Sequence, residues 1–190
     1  ILDHRGTLVQ GSGDIITYLD EAFPERPLTP VNSELQQQAI EWERWLDKGA
    51  GIDVRRLCYH YLLPERKIVT NFFVQGAGIG GRIFLLFAYP RLEKTMRELM
   101  DINDDSAALA LQRIEQALQR LTNQYEKQQY LVGDSFTRAD LTAAALFAPL
   151  YQPAGYGLAW PTQLPPELAE ICQRLAPQLQ WGHRLYQNFR

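Results

Sequence analysis

The residue best placed for chemistry near the start of the chain is Ser12, which lies between Gly11 and Gly13. Apolar residues follow at helical spacing, so the sequence predicts that Ser12 caps a helix. A serine hydroxyl, the unpaired N–H groups of the first turn and the helix dipole together attract an anion. The flanking glycines let a ligand approach the backbone closely. The segment predicts an anion-binding site; the alternative is that Ser12 is only a helix cap.

A second segment with a defined local structure begins at Thr137, with Asp140 three residues later. This spacing predicts that Thr137 is an N-cap and that the Asp140 carboxylate reaches back to it, as in a capping box. A buried carboxylate viewed alone resembles a catalytic acid. Its position in a capped helix indicates a structural role instead.

Residues 76–81 read Gly-Ala-Gly-Ile-Gly-Gly and satisfy the pattern GxGxxG after a β-prone stretch at 68–74. Asp101 follows at about the distance of a ribose-binding acid, so nucleotide binding is one alternative. The flanking segments have helical patterns, and Asp101 falls within a helical-looking run from 93 to 102. We therefore favour a glycine-rich connection between two helices.

The composition is that of an ordinary globular protein, with 46% hydrophobic and 22% charged residues among 190. The net charge of −3 argues against nucleic acid as a partner, because phosphate binding needs a concentrated basic surface. The longest apolar run, at 83–89, is too short to span a bilayer. The chain begins with Ile1 rather than Met.

The cysteines and histidines predict neither a disulfide nor a metal site. Cys58 and Cys172 are far apart and form no CxxC motif, which is typical of reduced thiols in a cytoplasmic protein. The three histidines have no metal-ligand spacing among themselves or with the cysteines.

The pattern of elements predicts a mainly α protein. A β-hairpin turning at Gly6 and one helix occupy residues 1–23, a proline-rich linker follows at 24–32, and a helical region covers 33–190. Asn32 or Ser33 is expected to cap the next helix. A later helix, with the clearest amphipathic stripe, is expected to open at Asp104, Asp105 or Ser106. The tail, which carries Trp181, Tyr186 and Phe189, is expected to fold back over the helices.

Two segments carry a resemblance to a known family. Residues 133–140 read Gly-Asp-Ser-Phe-Thr-Arg-Ala-Asp, and residues 12–19 fit the pattern S-x-x-I-x-x-Y-L. Together they resemble the glutathione S-transferase (GST) family. In that family the first pattern opens a buried helix of the all-helical C-terminal domain. The second marks the last helix of the thioredoxin-like N-terminal domain.

The resemblance implies a partial thioredoxin-like hairpin plus helix at 1–23, followed by an all-helical GST C-terminal-type domain at 33–190. It also implies that the first part of the thioredoxin-like domain is missing from this chain. The catalytic hydroxyl or thiol of the family lies in that part. The catalytic residue is thus expected upstream of Ile1 and stays unknown.

The resemblance further implies that glutathione is a substrate and that Ser12 binds its γ-glutamyl carboxylate. The family commonly has Glu, Gln or Asp directly before this serine. Here Gly11 takes that position and Gln10 lies one step further back, which weakens recognition of the glutathione amine.

By the same resemblance, Tyr59, His60 and Tyr61 belong to helices that line the co-substrate pocket, although aromatic residues near helix ends more often serve packing. The implied activity is conjugation of glutathione to an electrophile or glutathione-dependent thiol–disulfide exchange, in a cytoplasmic homodimer. The alternative is a non-catalytic GST-fold interaction module, which Gly11 and the glycine-rich insertion favour.

Overall fold

The computed structural model of the protein describes residues 1–73 and 79–189. It begins with two short antiparallel strands, β1 (Leu2–His4) and β2 (Thr7–Val9). Arg5 and Gly6 connect them, with φ angles of 54° and 86°. Positive φ at both positions matches the right-handed twist of a tight hairpin. The predicted hairpin is confirmed.

Helices form most of the remaining structure, so the mainly α fold class is confirmed. Their bounds are α1 (Ser12–Ala22), α2 (Ser33–Trp45), α3 (Gly51–Leu62), α4 (Arg66–Phe73), α5 (Ile79–Leu99), α6 (Asp104–Lys127), α7 (Arg138–Tyr151), α8 (Pro166–Leu175) and α9 (Gln180–Phe189). A π-helical segment, Leu46–Ala50, joins α2 to α3, and a 3-10 segment, Ala176–Leu179, joins α8 to α9.

The N-caps of α2 and α6 show which helix starts the local sequence predicts correctly. Asn32 caps α2, and its side chain accepts hydrogen bonds from the backbone N–H groups of Glu34 and Leu35. Helix α6 begins at Asp104, but its cap is Asn103, which forms a capping box with Ser106. The sequence analysis missed Asn103, because the three residues after it are also good capping residues.

The stretch at 68–74 does not form a strand in the part the structure describes. Residues Arg66–Phe73 form α4 and bury Val69, so tertiary packing overrides the local β propensity. Gly76 and Gly78 lie outside the described residues. Asp101 follows the end of α5 and has a φ angle of 49°. The expectation that it lies within a helix is therefore wrong. The α-helical flanks contradict a nucleotide-binding β-α-β unit.

The core lies where α3, α6 and α7 pack together, with α9 covering one side. Its largest fully buried side chains include Leu46, Leu57, Ile114, Leu118, Leu121, Phe147, Leu168, Leu175 and Leu179. The tail folds back as expected: Trp181 stacks on Tyr125 with ring centroids 4.9 Å apart, and Phe189 stacks on Phe136 at 4.1 Å. Of the helices in the described ranges, none combines the length and apolarity that crossing a membrane would require.

Candidate functional site

The N-cap of α1 lies one residue earlier than the sequence predicts. Gly11 occupies the cap position with φ of 99°, and its carbonyl accepts a hydrogen bond from the N–H of Ile15 at 2.9 Å. The prediction that Ser12 is the cap is therefore wrong; it is the first helical residue, and it is exposed. Because first-turn N–H groups have no intrahelical acceptor, this end of α1 still offers hydrogen-bond donors to a ligand.

Asp14 adds a negative charge to the same turn. Its Oδ2 lies 3.2 Å from the position that a Cβ on Gly11 would occupy. The carboxylate complements the helix dipole. It would also repel a bare anion, so a ligand with an amine beside its carboxylate suits this end of α1 better.

Arg138, the first residue of α7, fixes α1 in place. Its Nε donates to Oε2 of Glu43 at 2.5 Å, and its Nη2 donates to the carbonyl of Gly13 at 2.8 Å. Its Nη1 donates to the hydroxyls of Thr17 at 3.1 Å and Thr29 at 3.0 Å. With an exposed fraction of only 5%, this guanidinium ties α1, α2 and the segment after α1 to α7.

The partner carboxylate, Glu43, is equally buried, with 4% exposed. Its Oε1 has no hydrogen-bond partner among the described residues and lies 3.0 Å from where a Cβ on Gly13 would stand. Gly13 is therefore needed for the close approach of α1 to Arg138 and Glu43. Neither charged residue was identified from the sequence. The available signal was a basic residue at a helix N-terminus, where the dipole disfavours it unless it is paired.

The capping residues of α7 hold the start of this helix, and so the backbone of Arg138, in place. Asp140, with 0% exposed, accepts through Oδ1 from the N–H of Leu131 at 2.8 Å and the hydroxyl of Tyr125 at 3.0 Å. Its Oδ2 accepts from the N–H and hydroxyl of Thr137 at 3.0 and 3.1 Å. Burial raises the pKa of Asp140, and these hydrogen bonds lower it in part. Every bond serves the protein itself, so Asp140 positions the start of α7.

A cavity of about 370 Å³ lies between α3, α4, the end of α7, the segment after α7 and α8. Its lining is mostly apolar and comprises Asp47, Gly51, Val54, Arg55, Cys58, Tyr59, Leu62, Ile68, Val69, Ala145, Leu146, Pro149, Gln152, Tyr156, Trp160, Pro161, Leu164 and Leu168. Such a volume and lining suit a small organic ligand.

Of the three aromatic residues proposed for a co-substrate pocket, the structure brings only Tyr59 into the cavity lining. His60 lies outside it, with Nε2 3.7 Å from Oδ1 of Asp104 and its ring against Tyr61 at a centroid distance of 4.8 Å. The helical period separates them, because neighbours in a helix point in different directions. Sequence reasoning missed Arg55, which shares the face of Tyr59 one turn earlier.

Asp47 lines the cavity and lies near the buried pair of Glu43 and Arg138. Burial raises its pKa, Glu43 raises it further and Arg138 lowers it, so this carboxyl lies within electrostatic reach of the buried ion pair. One part of the cavity lining therefore lies near the groups that hold α1.

The cavity does not supply a thiolate. Burial raises the pKa of Cys58 far above its ordinary value and that of Cys172 to about 11, so both thiols stay protonated at neutral pH. Within residues 1–73 and 79–189, no group of three or more His, Cys, Asp or Glu side chains is arranged to hold a metal ion.

Comparison with known proteins agrees with the mainly α fold. Residues 84–176 match the family model of the glutathione S-transferase C-terminal domain. This match, which covers just under half of the chain, assigns residues 84–176 to that domain family. Its fold is similar to that of beta-etherase LigF from Sphingobium sp. strain SYK-6, with a TM-score of 0.59 and 20% identity over 95% of this chain and 75% of that chain. No curated protein sequence matches the chain.

Proposed function

We propose that this protein binds glutathione at the N-terminus of α1 and that the thiol sulfur of glutathione reacts with a co-substrate in the adjacent cavity. One observation carries the proposal. Arg138 bonds both to the carbonyl of Gly13 in α1 and to Glu43, which lies one turn before Asp47 at the cavity edge. These contacts support placing the proposed anion site next to the mostly apolar cavity.

The chemistry at α1 fits the γ-glutamyl end of glutathione. Its carboxylate would accept from the hydroxyl of Ser12 and the first-turn N–H groups. Its amine would face the carboxylate of Asp14 and the side chain of Gln10, which take over from the missing side chain at Gly11. This assignment stays a proposal for all four residues.

Two reactions suit an activated thiol beside an apolar cavity. In conjugation, the thiolate forms a C–S bond and a leaving group departs with the bonding electrons; in exchange, it attacks one sulfur of a disulfide and releases the other as a thiolate. Because the structural neighbour is a beta-etherase, a β-ether is among the electrophiles to test. No residue of this chain is assigned to activation of the thiol.

A non-catalytic interaction module is the second candidate. It is favoured by Gly11, which offers no side chain to the amine, and by Asp14, whose charge opposes a carboxylate. It predicts no measurable glutathione binding together with stable retention of a protein partner. The cytoplasmic location and the homodimer stay predictions in either case.

The two candidates are separated by calorimetric titration of glutathione into wild type, Ser12→Ala and Ser33→Ala. Ser33 is the matched control, because it is also an exposed first residue of a helix. Losing a hydrogen bond to a charged group costs about 1–2 kcal/mol, so Ser12→Ala should raise Kd roughly 5- to 30-fold. Ser33→Ala should match wild type. No binding by wild type would reject the enzyme, and unchanged binding by Ser12→Ala would reject the site.

A further inference from the structure

Arg55 stands out among the residues that line the cavity. Within residues 1–73 and 79–189 its guanidinium makes no hydrogen bond or ion pair. The next arginine in α3, by contrast, forms an ion pair, because Nη1 of Arg56 lies 3.6 Å from Oδ1 of Asp53. Because Arg55 is exposed, it places a positive charge with no ion-pair partner among the described residues at the solvent-facing edge of a mostly apolar cavity.

The groups around Arg55 suit a flat ring with an oxygen anion. Tyr59 lies one turn further along the same face of α3 and also lines the cavity, so its hydroxyl adds a hydrogen-bond donor. Tyr156 and Trp160 form an aromatic wall, with ring centroids 4.2 Å apart. Because Nε1 of Trp160 donates to the carbonyl of Pro153 at 3.0 Å, the orientation of this wall is fixed.

The negative charge in the cavity lining belongs to Asp47, which lies near the groups that hold α1. Asp47 precedes Arg55 by eight residues, about two helical turns, which corresponds to roughly 10–12 Å along the helix axis. The carboxylate of Asp47 would repel an anionic substituent at the α1 end, while Arg55 would attract it further along. A ligand with one anionic end is therefore held with its uncharged end toward α1.

We propose that the co-substrate is an aromatic electrophile that carries a carboxylate or another anionic oxygen, and that Arg55 is the residue that selects it. This inference rests on the function proposed above. It places the electrophilic carbon near Asp47, on the side from which the thiol of glutathione bound at α1 would arrive.

The test compares 4-chloro-3-nitrobenzoate with 4-chloro-3-nitrobenzamide, which share a reactive carbon but differ in charge. In both, the glutathione sulfur bonds to the ring carbon and chloride leaves with the electron pair. The kcat/KM of each is divided by its uncatalysed rate constant with glutathione, which removes the intrinsic difference in reactivity. Wild type should prefer the benzoate about tenfold, the scale of a charge-assisted hydrogen bond.

Arg55→Gln should abolish this preference and leave the KM for glutathione unchanged. Lys48→Gln is the matched control, because it removes an exposed positive charge just outside the cavity lining and should keep the preference. A corrected ratio near one in wild type, or a ratio unchanged by Arg55→Gln, would overturn the inference.

Binding without turnover separates this inference from the proposed function. Calorimetry with 3-nitrobenzoate and 3-nitrobenzamide measures the charge preference directly. If neither chloro compound reacts, the proposed conjugation fails, and Arg55 is judged on binding alone. Tighter binding of the benzoate that Arg55→Gln removes supports the anion preference, and equal affinities contradict it.

Discussion

Replacing Arg138 with Met tests the contact that joins the anion site to the cavity. The change removes the guanidinium and leaves the carboxylate of Glu43, only 4% exposed, without its positive partner. Stranding one member of a buried ion pair costs roughly 3–5 kcal/mol. The lost bond to Gly13 adds less, because the hydroxyl of Thr17 still donates to that carbonyl at 3.0 Å. For a chain of this size the melting temperature should fall on the order of 10 °C.

The assay is urea denaturation followed by circular dichroism, with thermal unfolding as a second measurement. The double variant Glu43→Leu/Arg138→Met removes both charges and should recover most of the lost stability, since no unpaired charge remains buried. Arg174→Met is the exposed control: it breaks a surface pair with Glu115 and should cost less than about 1 kcal/mol.

The same variant has a functional readout. Where circular dichroism shows Arg138→Met still folded, its Kd for glutathione should rise, because Gly13 and the first turn of α1 are no longer held. A free energy of unfolding within about 1 kcal/mol of wild type would refute the reasoning. So would a double variant as unstable as the single one.

The remaining predictions concern the cap and the cavity. Asp140→Ala should cost at least about 2 kcal/mol in urea denaturation, because it leaves two buried backbone N–H groups and a phenol without an acceptor; an unchanged midpoint would contradict the capping role. Tyr59→Phe should raise the KM of an anionic electrophile without changing that of glutathione, whereas His60→Gln should change neither, as steady-state kinetics would show. Burial raises the pKa of Asp47 above 3.8, so the native state binds its proton more tightly than the unfolded state and wild-type stability should decline as pH rises through that raised pKa. Asp47→Asn should lack the part of the decline that titration of Asp47 causes. Identical pH profiles of the free energy of unfolding for the two proteins, measured by urea denaturation, would contradict this prediction.

The features that could be predicted from the sequence are those set by residues close together in the chain. The hairpin needs only the backbone freedom at Arg5 and Gly6, and the start of α2 needs only the side chain of Asn32. Pro165 and Pro166 likewise mark the start of α8, because proline is well suited to the first turn of a helix.

The features that were missed depend on residues far apart. Arg138 is 95 positions from Glu43 and 125 from Gly13. No local pattern indicates that α1, α2 and α7 meet at Arg138. The cavity combines α3, the end of α7 and the segment that follows it, so its lining exists only after packing. Helix α4 shows the same limit, because its β-prone residues adopt the structure that buries Val69.

The most direct test of the account is a glutathione titration of the isotopically labelled protein, followed through backbone amide resonances in NMR spectra. We expect saturable shifts at Ser12 and Gly13, with Arg55 and Tyr59 responding only when an anionic aromatic electrophile is added. Amides of Ser12 and Gly13 that do not move, while those around the cavity respond to glutathione itself, would contradict it.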